Sequence, residues 1–441
     1  MSEELIVQFR LDKDRIPKNQ LNNELLGGIE VYPDPNRFQS VQKVSSEIVY
    51  LLDTSGSMNE RFFATGKTKK EALIQIIKDM IPLLSTDETV SIVSFNTNAI
   101  VIAEHVRGDA KEQLDRAIEE LANHNGQTNF ENAMLMAQSI IFSSRQKKNK
   151  IVFLTDGHSC GGSDSRAFSI AKDLTNQGIV IDSVGIGENF DFDYMKKYSD
   201  LANGITERMD DLNNSKKLFR NIVKETQQTV ITNAFMNIVF SKKLRDIGFY
   251  QHNPEQKLFS ENISYNPDGT AHLQLNIGSL VSGKALEFLF ECRLDTENAP
   301  SMKIADVRIN YDCPIFNIKT EIVNTSIFLN FADSVKDVIH DTLPSYWKAN
   351  IDVLITYNEA SLLAKQGNYK EAAVKIKRMI DSSKKLGDQE KIKTCNNMLN
   401  KIMTEGKLSQ DDLNRLAASS SKSSVLSTIH TGSTKNSPHT V

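Results

Sequence analysis

The chain has 441 residues, 39% of them apolar, 7% aromatic and 24% charged, and its formal net charge is -4. Such a length suggests two to four domains, and the composition is that of a soluble globular chain, not a fibrous or wholly disordered one. A charge this small gives no electrostatic basis for nucleic-acid binding, and no run of about twenty apolar residues is available to cross a membrane. The acidic start, Met1-Ser2-Glu3-Glu4, lacks the basic and apolar regions of a secretory leader. Cys160, Cys292, Cys313 and Cys395 are scattered without CxxC spacing and read as free thiols of a reducing compartment, so the expected location is the cytoplasm.

In chain order, residues 5–9 and 29–32 read as short strands, too short to build a core of their own. The segment 1–42 is therefore expected to contribute to a later β-sandwich. From 43 to 228 strands and helices alternate. Ile48 to Leu52 is an apolar run of the kind a doubly covered strand requires, and Ile151 to Leu154 is a second. Thr89 to Phe95 and Val180 to Ile186 are further strands. Lys69 to Leu84 places Leu73, Ile76, Ile77 and Met80 at helical spacing, and 111–121, 131–145, 165–177, 192–201 and 212–226 continue the helical pattern. This order predicts an α/β unit with a mostly parallel sheet and helices on both faces.

The pattern changes after Val230. Segments 235–240, 272–277, 285–292, 304–311 and 320–331 alternate with period two, with turn signals such as Asn266-Pro267-Asp268-Gly269 between them. Residues 229–333 thus read as an antiparallel β-sandwich. Residues 334–416 are helical, with one tetratricopeptide-like hairpin around Gly367-Asn368-Tyr369; a three-helix hairpin packed on the sandwich and anchored by Trp347 is expected. The stretch 417–441 is rich in Ser and Thr and poor in large apolar groups, the composition of a disordered tail. Thr428, Thr431 and Thr434, near Lys422 and Lys435, are candidate phosphoacceptors.

Chemistry concentrates where the apolar strands stop. Asp53-Thr54-Ser55-Gly56-Ser57 follows the first apolar run, and Thr155-Asp156-Gly157 ends the second. Open α/β sheets place ligands beyond the carboxyl ends of their strands. Asp53, Ser55, Ser57 and Asp156 offer oxygen only, which suits Mg²⁺, Mn²⁺ or Ca²⁺ rather than zinc or copper. The competing reading is that the hydroxyls merely cap helices. Lys67, Lys69 and Lys70 read as a solvated loop and helix start beside this face. His158 and Cys160 read as a rim loop, and Asn59, Phe62, Phe63 and His124 as further rim residues. Neither a metalloprotease His-Glu motif nor a nucleophile elbow is present, so the chain is not expected to be an enzyme.

With Gly126-Gln127-Thr128-Asn129 ahead of a helical pattern, the three pieces Asp-x-Ser-x-Ser, Thr and Asp resemble, in order, the metal-ion-dependent adhesion site of von Willebrand factor A domains. The resemblance covers roughly residues 43–225. It implies that Ser55, Ser57 and Thr128 bring hydroxyls to a divalent cation, with Asp53 and Asp156 acting partly through water. A Glu or Asp of a partner protein would fill the open position. It further suggests an adaptor or scaffold of a Ser/Thr kinase and phosphatase system. The alternative is a subunit of an AAA+ ATPase-driven remodelling or metal-insertion complex.

Overall fold

Strand Ser46–Asp53 is buried over all eight of its residues, the apolar side chains alternating between two cores. Val49 and Leu51 face one core and Ile48, Tyr50 and Leu52 the other, which is what a strand covered on both faces demands. The computed structural model describes residues 4–39, 44–157, 164–187 and 190–422. Ser46–Asp53 lies inside a six-stranded sheet ordered Ala99–Arg107, Glu88–Phe95, Ser46–Asp53, Lys148–Thr155, Val180–Ile186, Thr206–Met209. All neighbours are parallel except the antiparallel edge strand Ala99–Arg107.

Helices Lys69–Met80, Lys111–Glu120 and Leu212–Gln228 cover one face; Phe130–Ser143, Asp164–Thr175 and Phe192–Ser199 cover the other. The chain leaves Ser46–Asp53 toward one edge and returns on its other side through Lys148–Thr155. The crevice between the ends of those two strands is therefore the topological switch point of the sheet.

Two further sheets pack face to face over one shared apolar core. The smaller contains Leu5–Leu11, paired with Asn23–Pro33, which in turn pairs with Leu286–Leu294. Thus the amino-terminal strands belong to the sandwich and the α/β unit is inserted between them and the rest of it. The larger sheet is antiparallel except at its edge, where Arg15–Pro17 runs parallel to Ile318–Ala332.

The carboxyl-terminal bundle differs from the expected three-helix hairpin. It has four helices, Leu343–Lys365, Tyr369–Leu386, Gln389–Glu405 and Gln410–Ser420. Trp347 does meet the sandwich, packing with Tyr250 and Leu289 and stacking on the His252 ring at 5.4 Å. From Val353 onward, however, the bundle shares its apolar core with the α/β unit. The Asn414 side-chain amide donates to the Phe190 carbonyl, and Lys365 pairs with Asp193 at 2.8 Å. The fourth helix also runs past residue 417, where a disordered tail was expected to begin. Leu416 and Ala417 are buried, and a capping box at Ser409 and Asp412 starts that helix. Residues 423–441, including Thr428, Thr431 and Thr434, lie outside the described residues. Among the described residues, no helix is long and apolar enough to cross a membrane.

Candidate metal centre

Asp53 is the last residue of its strand and is fully buried. The Ser55 amide donates to Asp53 Oδ1 at 2.8 Å, turning the chain back over the strand end, and the Thr155 hydroxyl donates to Asp53 Oδ2 at 2.6 Å. The Ser55 and Ser57 hydroxyl oxygens lie 3.1 Å apart, and Ser57 donates to Asp156 Oδ1 at 2.8 Å. Four of the expected residues, Asp53, Ser55, Ser57 and Asp156, therefore form one hydrogen-bonded cluster across the switch-point crevice.

The fifth, Thr128, is 5% exposed on the loop that leads into helix Phe130–Ser143. That loop is tied to the first by the Gly56 amide, which donates to the Gly126 carbonyl at 2.9 Å, and to the sheet by Asn129, whose amide donates to Asn96 at 3.0 Å. Gly126 makes this close passage possible: a Cβ there would meet Thr97 Oγ1 at 2.9 Å and Asn96 Oδ1 at 3.0 Å. The capping reading fits poorly. The side chain that caps Phe130–Ser143 is Asn129, and no side-chain cap bond is made at the turn Gly56–Asn59.

Burial pushes the Asp53 carboxyl up to about 6, and the neighbouring charge of Asp156 adds to this, against the hydrogen bonds from Thr155 and Ser55. An ionised Asp53 in this setting calls for positive charge. The sequence reading of Lys69 and Lys70 as solvated is corrected here, since they are 3% and 5% exposed. Lys69 Nζ lies 2.8 Å from Asp156 Oδ2 and 2.8 Å from Glu60 Oε2. Burial pulls the Lys69 ammonium down, but the bonds to these carboxylates outweigh it and hold the group above its ordinary value. Lys70 Nζ donates to the His124 carbonyl at 2.6 Å. Nothing in a run of three lysines separated by one Thr shows that the helix start points inward. The signal lies in the fold, which sets the first turn of Lys69–Met80 against the crevice.

Thr155 was also missed as a participant, although it stands beside Asp156 in the motif. Of the expected rim, Asn59 is exposed, Phe62 is fully buried in the core, and Phe63 is half-buried beneath Arg208 at 5.7 Å. His124 Nδ1 is engaged with Ser94 Oγ at 2.7 Å. His158 and Cys160 fall outside the described residues.

The donor set fits a hard divalent cation: two carboxylates with hydroxyls at hydrogen-bonding range and neither sulfur nor imidazole within the cluster. A cavity of about 350 Å³ lies elsewhere. It lies in the seam between the α/β unit and the sandwich, at the opposite ends of the strands, and is lined among others by Lys148, Asp182, His252 and Glu287.

Residues 48–158 match the family model of the von Willebrand factor type A domain. The heavy chain H2 of inter-alpha-trypsin inhibitor from Mus musculus is 26% identical over 186 residues, and that from Mesocricetus auratus 25% over 184. In both cases 39% of this chain is covered, and 18% of the length of those curated relatives. A solved von Willebrand factor type A protein from Catenulispora acidiphila superposes with a TM-score of 0.75 at 16% identity, covering 96% of this chain and 98% of that one. The ArnB paralog VWA2 from Sulfolobus acidocaldarius gives 0.57 at 14% identity, with 96% and 99% covered. The chain carries a von Willebrand factor type A domain, joined to antiparallel sheets and a helical bundle.

Proposed function

We propose that this chain is a non-enzymatic, cytoplasmic protein-binding module that uses a divalent cation, Mg²⁺ or the related Mn²⁺ or Ca²⁺, to capture an acidic residue of a partner. The observation that carries this reading is the chain of contacts Asp53–Ser55–Ser57–Asp156, which joins two strand ends at the switch point of the sheet. Ser55, Ser57 and Thr128 would supply hydroxyls, and Asp53 and Asp156 would supply charge, partly through water. Once bound, the cation supplies an electrophilic position that a carboxylate can occupy. The protein's own part is to hold the hydroxyls in place: Thr155 fixes Asp53, Asp156 fixes Ser57, and the Gly56–Gly126 bond brings the Thr128 loop alongside.

The bundle would serve as a mount for this face, since it shares an apolar core with the α/β unit. Phosphorylation of the Ser/Thr-rich stretch after residue 422 would add charge recognisable by an Arg-lined domain; incubation with a Ser/Thr kinase and mapping of the labelled residues tests this. The capture reading is tested by affinity isolation with wild type and Asp53→Ala, each with Mg²⁺ and with chelator. A partner retained only by wild type with Mg²⁺ supports the reading. Its identity would separate a kinase system from an AAA+ ATPase complex. Retention that is equal in all four samples contradicts it.

A further inference from the structure

Two carboxylates buried at one site would ordinarily have to wait for a metal to be neutralised. Here one of them has a permanent partner. Lys69 is 3% exposed, its Nζ bonds Asp156 Oδ2 at 2.8 Å, and Asp156 itself is 2% exposed. A second bond, to Glu60 Oε2 at 2.8 Å, fixes the ammonium from the outer side. The path of the stem is prepared by the backbone. Gly187 has φ +89, and a Cβ there would lie 2.7 Å from Lys69 Cε, so a side chain at 187 would press on the lysine. The other Asp156 oxygen, Oδ1, accepts from Ser57, one of the proposed cation-binding hydroxyls. The ammonium and the cation-facing hydroxyl thus share a single carboxylate, one on each oxygen.

We propose that Lys69 is a tethered counter-ion that lowers the affinity of the Asp53–Asp156 site for divalent cations and lets the domain fold without one. The inference rests on reading the cluster as a cation site. With Lys69 in place, an entering ion meets two carboxylates already offset by one positive charge, so the Coulomb attraction is reduced. Removing the ammonium would return that attraction and at the same time leave Asp156 buried without its partner, which destabilises the cation-free protein. Lys69 is a positioning residue in this scheme: it acts on the ion through Asp156.

The two consequences have opposite signs, and this distinguishes the proposal from a purely structural role. The experiment is calorimetric titration of the full chain with Mg²⁺ and with Mn²⁺, with melting measured in the presence and absence of cation, for wild type, Lys69→Met, Lys69→Gln and Lys69→Arg. Two neutral replacements of different polarity guard against one that fails to fold. Lys69→Met and Lys69→Gln should bind cation about tenfold more tightly or better, because the repulsion between the ammonium and the entering ion is gone. They should melt lower than wild type in chelator and recover on adding cation. Lys69→Arg should remain near wild type. Neutral variants that bind cation equally or more weakly overturn the proposal but leave the site reading standing. Failure of wild type and all variants to bind either ion overturns both.

Discussion

The two ends of the central strands carry similar numbers of buried charges and treat them differently. At the amino-terminal ends, Lys150 pairs with Asp182 at 2.6 Å, and Lys148 donates to the Thr226 and Thr229 carbonyls at 3.0 and 3.1 Å. Glu47 accepts from Ser91, Ser144 and His105 at 2.5, 2.8 and 2.7 Å. Each long side chain there ends on a complementary group supplied by the fold. At the carboxyl-terminal ends, Asp53 and Asp156 are met by short hydroxyls from turning loops, and the ammonium bonded to them is Lys69 on Asp156. The first arrangement uses its charges to tie the strand starts to neighbouring elements of the fold. The second leaves carboxylate charge and hydroxyl lone pairs concentrated in a crevice, where a cation can use them.

The sharpest way to break this comparison is to remove one carboxylate at each end. Asp182→Ala leaves Lys150, whose side chain is 13% exposed, without its partner. It should cost about 3–5 kcal/mol in denaturant unfolding and leave cation affinity unchanged. Asp53→Ala should do the reverse, abolishing cation binding, a loss beyond about 100-fold, while the fold persists by circular dichroism. If Asp53→Ala unfolds the domain, the two ends are alike and both are structural. A finer cut is Thr155→Val, which removes the hydroxyl donated to Asp53 Oδ2 and should weaken Mg²⁺ binding about tenfold or somewhat more in calorimetry.

The smallest effect concerns pH. Asp53 is pushed up to about 6 from an ordinary 3.8, so the folded chain favours its protonated form. In cation-free buffer, its contribution to stability is greatest at low pH and falls as pH rises from about 4 to about 6. A cation needs the ionised form, so affinity should drop about tenfold per unit below about pH 6. Titrations at pH 7 and pH 5 read this directly. Equal affinity at both would mean that Asp53 is not among the groups holding the ion.

The candidate site was legible because its residues stand at strand ends, where core packing alone does not call for a sudden change from Ile-Val-Tyr-Leu-Leu to Asp-Thr-Ser-Gly-Ser. The doubly covered strands were legible for a related reason: burial on both faces leaves an unbroken apolar run. What escaped was whatever depends on a distant neighbour. Strand Leu244–Asn253 ends in Gln251, His252 and Asn253, polar residues whose side chains meet Asn203 of the α/β unit and Glu287 and Ala285 on or beside the neighbouring strand, so no period shows. The edge strands Ala99–Arg107 and Thr206–Met209 also escaped: the first is only half-buried and the second has four residues. Lys69 and Lys70 resemble any basic helix start until the fold turns them toward Asp156 and the His124 carbonyl.

The most direct test of the central claim is anomalous diffraction from crystals of the full chain grown with Mn²⁺. The account predicts a Mn²⁺ peak among the hydroxyls of Ser55, Ser57 and Thr128, beside Asp53 and Asp156, that disappears in Asp53→Ala. A well-ordered crevice with no peak there, or Mn²⁺ bound only elsewhere, would contradict it.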